Sequence, residues 1–506
     1  MGIAVKKLSA VDAAFLYAET PEMPMHVGSL AYFTLPDDYA DDFYEAFKNV
    51  IASRMASAPM LKWKLEPAPF DIDHPSWVVD EQFDIDRHIY RTSLPKPATA
   101  QVAERLTGWM HAKLLNRARP LWEFYVFDGL PNNQVIVYNK IHHACIDGGA
   151  GAALAHLIYD LKPDGHGGAT PLAAPIVARP ESGSEFVDAG AKLVRSYVDF
   201  LKQPLKWMTL LPDVLKEIPP MVRTLVDPRI LSDLVSRTSP KTPINRAISS
   251  ERSFAGISLS LARAKAIAKA ADVKLNDVVL AISSGALRRY LIAENALPTT
   301  SMTAFVPISL RKPGDTTQEN QVMAMISSLA SDIEDPKARL VAIAVDAKRS
   351  KELINPFRTM VPLYSDSSIL GAPIYAQVLA ILYSRSNLAD VLPPPANVVV
   401  SNVVGPRATL FAAGAELQHL YPVSIAAHGL GLNITVSSYR DELDFGLIAA
   451  ANLIPDVTVI ARLLPAILEE LEVAVGIATT AVVAPISDSI RASAIKPRPR
   501  VKRNRF

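Results

Sequence analysis

The stretch Gln134-Val135-Ile136-Val137-Tyr138-Asn139-Lys140-Ile141-His142-His143-Ala144-Cys145-Ile146-Asp147-Gly148-Gly149 decides how this chain is read. Up to Ile141 the side chains alternate, with Val135, Val137 and Asn139 on one face and Ile136, Tyr138 and Lys140 on the other. That is the period of a strand. Two histidines end it, and an aspartate and two glycines follow. Beyond Gly149, the segment from Ala150 to Leu161 is rich in alanine and leucine and reads as a helix. Strand, glycine turn and helix in that order predict a mixed α/β chain with its chemistry at the turn.

The motif suits proton transfer. Adjacent side chains of a strand point to opposite faces, so only one of His142 and His143 can face a given cleft, and the pair cannot readily chelate one metal. His143 and Asp147 could share a metal as an i, i+4 pair on a helix, but no further ligands stand at suitable spacing, and no metal site is expected. A histidine with a pKa near ~6.5 can take a proton from an alcohol at neutral pH. The competing reading is a structural histidine pair at a strand end. The chain has no Gly-x-Ser-x-Gly elbow, and its one cysteine, Cys145, lies inside the motif, which disfavours a covalent acyl-enzyme.

A chain of 506 residues is expected to fold as two to three domains. Hydrophobic residues at 49% and charged residues at 20% are the composition of a globular enzyme. The net charge of +1 gives no field that would mark a nucleic-acid binder. It hides an asymmetry, because Arg491, Lys496, Arg498, Arg500, Lys502, Arg503 and Arg505 stand in the last segment with no acid among them. Pro497 and Pro499 argue against a helix there, and the segment reads as a flexible basic arm. The single cysteine fits a reducing, cytoplasmic compartment. No secretory leader is recognisable at the start, and no apolar run reaches the ~18 residues a spanning helix needs. Any membrane contact is then expected to be peripheral.

Along the chain, Leu8–Leu16, Tyr39–Ser53 and Ala98–Leu115 read as helices, and Val27–Leu35 and Trp77–Phe83 as strands. From Pro163 to about Ser184 the sequence is Gly- and Pro-rich, a loop. Between Glu185 and Leu234, apolar residues such as Leu193, Tyr197, Trp207 and Leu211 mix with lysines and arginines. This stretch is expected to form amphipathic helices that pack on the protein or dock on a lipid surface. The second half opens near Thr242, with helices expected at Leu261–Ala271, Asn276–Ile292 and Val457–Val475. Strands are expected at Met302–Ile308, Asn397–Asn402 and Leu432–Ser438.

Several further motifs accompany the histidines. They are Leu8-Ser9-x-x-Asp12-x-x-Phe15-Leu16, Pro24-Met25-His26-Val27-Gly28, Pro75-x-Trp77-Val78-x-Asp80 and Pro120-Leu121-Trp122-Glu123. In the second half stand Leu275-Asn276-Asp277-Val278, Val306-Pro307-Ile308-Ser309-Leu310-Arg311, Asn320-Gln321, Asn397-x-x-x-Ser401-Asn402-Val403-x-Gly405-Pro406, and Gly431-Leu432-Asn433-Ile434 with Ser438-Tyr439. In this order they make the chain resemble the bacterial wax ester synthase/diacylglycerol acyltransferases, over roughly residues 8 to 475. That family lies within the coenzyme A-dependent acyltransferase superfamily, which shares the HHxxxDG motif with chloramphenicol acetyltransferase and with peptide-synthetase condensation domains.

The resemblance implies an α/β (α+β) fold of two chloramphenicol acetyltransferase-like lobes, each a mixed sheet flanked by helices, with the active-site channel at their interface. The lobes would span residues 1–165 and 242–480, joined by the loop and amphipathic linker 166–241 and followed by the basic tail 481–506. His143 would be the general base and His142 a support of the turn. Asp147 and Gly148 would hold the loop, Asp147 through a cation for which Arg54 and Lys62 are the candidates. Pro120, Leu121 and Trp122 either pack beside the channel or touch substrate. Asn276 and Asp277 either cap a helix or lend polarity to the site, and Ser401, Asn402, Gly405 and Pro406 either shape a turn or place a donor near the thioester carbonyl. The remaining histidines are expected to be structural or solvated.

The implied activity is transfer of a fatty acyl group from acyl-CoA to a long-chain alcohol or diacylglycerol through a ternary complex, with no cofactor. The implied location is cytoplasmic, at the inner face of the membrane or at lipid inclusions. Two alternatives stand beside it. One is condensation-type transfer from a carrier protein, although the chain has no carrier segment. The other is a catalytically weak lipid-binding protein of the same fold.

Overall fold

The structure, a computed structural model, describes residues 6–68, 74–145, 155, 157–163, 239–309, 322–354 and 388–477. Helices begin where the sequence offers caps. Ser9 Oγ accepts the Asp12 N–H at the start of α1 (Ala10–Ala18), Asp42 caps α2 (Phe43–Arg54), and Thr99 caps α3 (Ala100–His111). Phe43, Phe47 and Ile51 fall at successive i, i+4 positions of α2 and bury one face of it.

The N-terminal half also contributes β1 (Lys6–Lys7), β2 (His26–Thr34), β3 (Trp63–Glu66), β4 (Ser76–Val79), β5 (Ile89–Ser93), β6 (Trp122–Asp128) and β7 (Gln134–His142). The C-terminal half follows with β8 (Arg252–Ser260), α4 (Leu261–Ala270), α5 (Leu275–Ala293), β9 (Thr303–Ser309), β10 (Val322–Ser328), α6 (Pro336–Ile354), α7 (Leu388–Val391), β11 (Val398–Val404), β12 (Phe411–Ala412), β13 (Ala415–Val423), β14 (Leu432–Tyr439) and β15 (Glu442–Ala450). Two short helices, α8 (Thr458–Ala461) and α9 (Leu464–Ala474), close the described chain. The expected single helix over 457–475 is divided there because Pro465, in the first turn of α9, has no N–H with which to continue the ladder.

Two six-stranded mixed sheets result, in the orders β12-β13-β2-β7-β6-β5 and β10-β9-β11-β14-β15-β8, with a small β1-β4-β3 sheet beside the first. The expected α/β fold of two sheet-containing lobes is the observed one. Sheet membership does not follow chain order, however. The division drawn at residue 242 would leave β12 and β13 with the second lobe, yet β13 pairs antiparallel with β2, from Val423 opposite Gly28 to Glu416 opposite Thr34. A strand edge in the first sheet is thereby covered by chain from the other half.

The same strand joins the lobes. Phe254 and Ile448 of the second sheet share one buried cluster with Leu30, Tyr138 and Tyr421 of the first and with Val102 of α3. This contact requires the backbones to come very close. A Cβ at Gly446 would stand 1.7 Å from the Pro422 carbonyl oxygen, and one at Gly256 would stand 2.6 Å from the Tyr421 ring. Several elements expected from sequence lie outside the described residues, namely the glycine turn, residues 150–154 and 156 of the helix expected over 150–161, the loop beyond 163, the stretch 185–234 and the basic tail.

The crossing of β13 over β15 should therefore be intolerant of a single methyl group. Gly446→Ala is expected to lower stability by at least about 1–3 kcal/mol, the usual cost of overpacking against atoms that cannot give way. The check is a shift of the urea midpoint at unchanged slope, and a wild-type midpoint would contradict the close approach.

Candidate active site

Strand alternation sets the side of the first sheet that His142 takes. Ile141 belongs to the core that α2 covers, together with Val137 and Val135, whereas Ile136 and Tyr138 belong to the cluster under α3. His142 therefore turns toward the α3 side and is fully buried, at 0% exposure. Register fixes the level at which this happens, since His142 stands opposite His26 of β2. The strand ends at His142; the His143 N–H donates to the Met25 carbonyl at 2.8 Å, and His143–Cys145 form a single tight turn.

His143 is half-buried, and its ring stacks on Phe15 of α1, with centroids 3.9 Å apart and planes 16° from parallel. Its Nδ1 is buried and meets no hydrogen-bond partner of good geometry among the described residues. Burial pushes the imidazole down to about 4; its own backbone carbonyl opposes that shift, and the neighbouring His142 adds to it. At neutral pH the ring is uncharged, the state in which it can accept a proton.

His142 is held from two sides. Its Nδ1 accepts the Ala144 N–H at 3.1 Å, which assigns the ring proton to Nε2, and Nε2 stands 3.3 Å from Glu19 Oε1. Glu19 has its side chain only 2% exposed. Oε1 also accepts the Met25 N–H at 3.2 Å, and Oε2 receives Arg117 through Nε at 3.2 Å and Nη2 at 2.9 Å. Burial alone would raise this carboxyl, but His142 and Arg117 outweigh it and hold it at about 2, so Glu19 is a buried carboxylate.

Below the motif, polar groups continue through the α3 side of the sheet. His26 Nε2 donates to the His111 carbonyl at 2.7 Å, and His111 meets Tyr138 Oη at 2.8 Å and the Ser424 carbonyl at 2.9 Å. Burial pushes both histidines down, His111 to about 3, helped by the charges of Arg252 and Lys140. Lys140, 1% exposed, lies 3.3 Å and 3.0 Å from the Met110 and Lys113 carbonyls at the end of α3 and is paired with Glu123 at 3.0 Å. The cation thus meets the negative end of the helix. Among the described residues no three His, Cys, Asp or Glu side chains group so as to hold a metal ion.

The other sequence-derived residues divide. Leu121 and Trp122 are buried at 1% and 2%, the Leu121 carbonyl accepts the His142 N–H, and Trp122 spends its indole N–H on the Leu61 carbonyl at 2.7 Å. Pro120 is buried just before them. These three residues pack beside the histidines and support their strand. Asp277 Oδ2 accepts the Lys274 N–H at 2.9 Å and so caps the first turn of α5, where half-buried Asn276 also stands.

Ser401 and Asn402, read from sequence as a pair, fall on opposite faces of β11. Val398, Val400 and Ile434 fill the second core, so Ser401 and its register partner Thr435 lie on the other face. That face looks toward the first lobe. Thr435 donates to Asn433, Asn433 to Ser424 Oγ and the Ile425 carbonyl, and the Ser424 carbonyl accepts from His111. Gly405 and Pro406 are roughly 13 Å further along the strand. They form a turn on the end of β14, where the Gly405 N–H meets Ser438 Oγ at 3.1 Å and the Pro406 carbonyl accepts the Arg440 N–H at 3.2 Å.

Asp147 and Gly148 lie outside the described residues. Of the two cations considered for Asp147, Arg54 is committed elsewhere, its Nη2 lying 2.6 Å and 2.7 Å from the two oxygens of buried Asp160. Lys62 Nζ stands over the Phe83 ring at 5.8 Å. Sequence reading passed over Glu19 and Arg117. Nothing in local spacing relates a carboxylate at the end of the first helix to a histidine at the end of β7, far along the chain.

Comparison with known proteins agrees with this geometry. The wax ester synthase/diacylglycerol acyltransferase catalytic domain matches residues 8–279, and the C-terminal domain of the same family matches residues 318–472. A Mycobacterium tuberculosis protein named as a diacylglycerol O-acyltransferase is 32% identical over 93% of this chain and 100% of its own length. The O-acyltransferase WSD of Acinetobacter baylyi is 32% identical over 89% of this chain and 93% of its own. The solved wax ester synthase/diacylglycerol acyltransferase of Marinobacter aquaeolei VT8 superposes with a TM-score of 0.65 at 28% identity, covering 93% of this chain and 100% of that one. With two family models lying in order along it and its motif histidines held between α1 and the first sheet, the chain belongs to the wax ester synthase/diacylglycerol acyltransferase family and is an acyltransferase.

Proposed function

We propose that this enzyme transfers a fatty acyl group from coenzyme A to the hydroxyl of a long-chain alcohol or of diacylglycerol in one step, with His143 as general base. The observation that carries the reading is the state of His143, a neutral, half-buried imidazole stacked on Phe15 where the strand ends. In the ternary complex, Nε2 takes the hydroxyl proton as the oxygen attacks the thioester carbonyl. The tetrahedral intermediate then expels the CoA thiolate, which receives the proton back from the imidazolium. Ser401, on the face of the second sheet turned toward the first lobe, is the donor we assign to the developing oxyanion. Pro120, Leu121 and Trp122 back the strand that carries the histidines.

The substrates and the basic tail support a second part of the proposal, a cytoplasmic enzyme working at a lipid surface such as the inner face of the membrane or a lipid inclusion. Both substrates carry long apolar chains. Among the described residues no helix is long and apolar enough to cross a membrane. Each Lys or Arg near an anionic bilayer adds roughly 1 kcal/mol of attraction, screened by salt.

Three outcomes are expected. Release of thiol from palmitoyl-CoA should depend on added hexadecanol or diacylglycerol, and His143→Ala should cut it on the order of 10²–10⁴-fold, with a smaller loss for His142→Ala. Thiol release without any acceptor requirement would refute direct transfer.

The pH profile should report the depressed histidine. The base works only when neutral, so kcat/KM should stay level as pH falls from about 8 to about 5 and decline only as the pKa of about 4 is approached. An acid limb near ~6.5 in protein shown by circular dichroism to be folded would mean that the ring is not buried as described.

Finally, co-sedimentation with anionic vesicles should be weaker for a version ending at Asp488 than for the full chain, with the difference vanishing at high salt. Equal binding by both would eliminate the tail as an anchor.

A further inference from the structure

The end of α1 approaches the motif twice. Phe15 covers the face of the His143 ring, and one turn later Glu19 enters the buried space beside His142. This carboxylate touches no described part of the cleft and has nothing to offer a substrate directly. Both its oxygens are occupied from inside the protein, Oε1 by the Met25 N–H and His142 Nε2, Oε2 by Arg117. Burying a charge in this way is costly, and the cost is offset only if its partners are held in place.

The contact with His142 has a consequence for the turn. Because Nδ1 of His142 accepts the Ala144 N–H, the ring must carry its proton on Nε2, and among the described residues that buried nitrogen has no acceptor of good hydrogen-bond geometry. Glu19 Oε1, at 3.3 Å, is the group that faces it. The other tautomer would put an N–H against the Ala144 N–H and push open the turn on which His143 is mounted. Glu19 also takes the N–H of Met25, whose carbonyl accepts the His143 N–H. One carboxylate thus fixes the two residues from which the His143 backbone hangs.

We propose that Glu19 is a positioning residue for the acyl transfer, acting through His142: as the carboxylate that faces the Nε2–H it selects the imidazole tautomer that keeps the His142–Ala144 turn closed and His143 aimed at the substrate hydroxyl. The proposal rests on the reading of His143 as general base. Arg117 secures the second oxygen and sets the orientation of the carboxylate.

The test uses the full chain as wild type, Glu19→Ala and Glu19→Gln, with palmitoyl-CoA and hexadecanol varied separately. It is paired with long-range proton–nitrogen spectra of histidine-labelled protein, in which the His142 signals are identified by their loss in His142→Asn. A displaced general base costs on the order of 10²-fold, so Glu19→Ala should lose about that much in kcat at nearly unchanged KM for both substrates. Glu19→Gln keeps an acceptor oxygen at the same reach and should recover most of kcat. The wild-type spectrum should show His142 protonated at Nε2, and Glu19→Ala should show a mixture of tautomers. The idea is overturned by an unchanged kcat in Glu19→Ala, by equal losses in the two variants, or by wild-type His142 protonated at Nδ1. Should Glu19→Ala not fold, the kcat of Glu19→Gln and the wild-type tautomer still decide. If the wild type acylates neither hexadecanol nor diacylglycerol, the functional reading fails, while the tautomer of His142 still tests the role of Glu19.

Discussion

The antiparallel pairing of β2 with β7 is the constraint on which the rest of the site depends. It puts His26 opposite His142, closes with the His143 N–H on the Met25 carbonyl, and so fixes where the strand ends and the turn begins. A slip of one residue would exchange the faces of every side chain on β7, sending His142 to the α2 side and Ile141 into the polar layer beneath α3. Central position in the sheet protects the register, since β7 is bonded on one side to β2 and on the other to β6.

Two kinds of environment meet at that strand end. On the α3 side the interior holds His26, His111, Lys140 and Glu19, all bonded to backbone carbonyls, backbone N–H groups or one another. Such a network is expensive to bury unless its members are satisfied, and in return it admits few arrangements. At the turn His143 has the Phe15 ring for a neighbour, and burial keeps its imidazole uncharged. A serine hydrolase triad orients its histidine with a carboxylate on the ring itself; here the buried carboxylate stands against the preceding histidine, one step removed from the base.

The lobes are joined as a single packing unit through β13, which takes its hydrogen bonds from the first sheet and lays its Pro422–Tyr421 segment on glycines of the second. That crossing brings Ser424 between His111 and Asn433 and connects the layer under the motif to the polar face of β14 and β11. The relation between the histidine turn and Ser401 is therefore set by packing shared between the halves, rather than by a hinge with its own linker.

Much of this was determined by the sequence alone. The alternation from Val135 to Ile141 fixed a strand running into the histidines, and the spacing of apolar residues marked the helices that became α1, α2 and α3, because strand parity and helical period act over a few residues. The ordered motifs pointed to the family. Tertiary structure alone decided which chain segments became neighbours. That β13 leaves its own half to pair with β2, that Arg54 serves Asp160, and that Glu19 meets His142 are all contacts between residues far apart along the chain. Local sequence carries no mark of them, since a carboxylate at the end of a helix has the same chemistry whether water or a buried imidazole awaits it. What distinguishes the two is burial, and burial is settled only when the sheets close over one another.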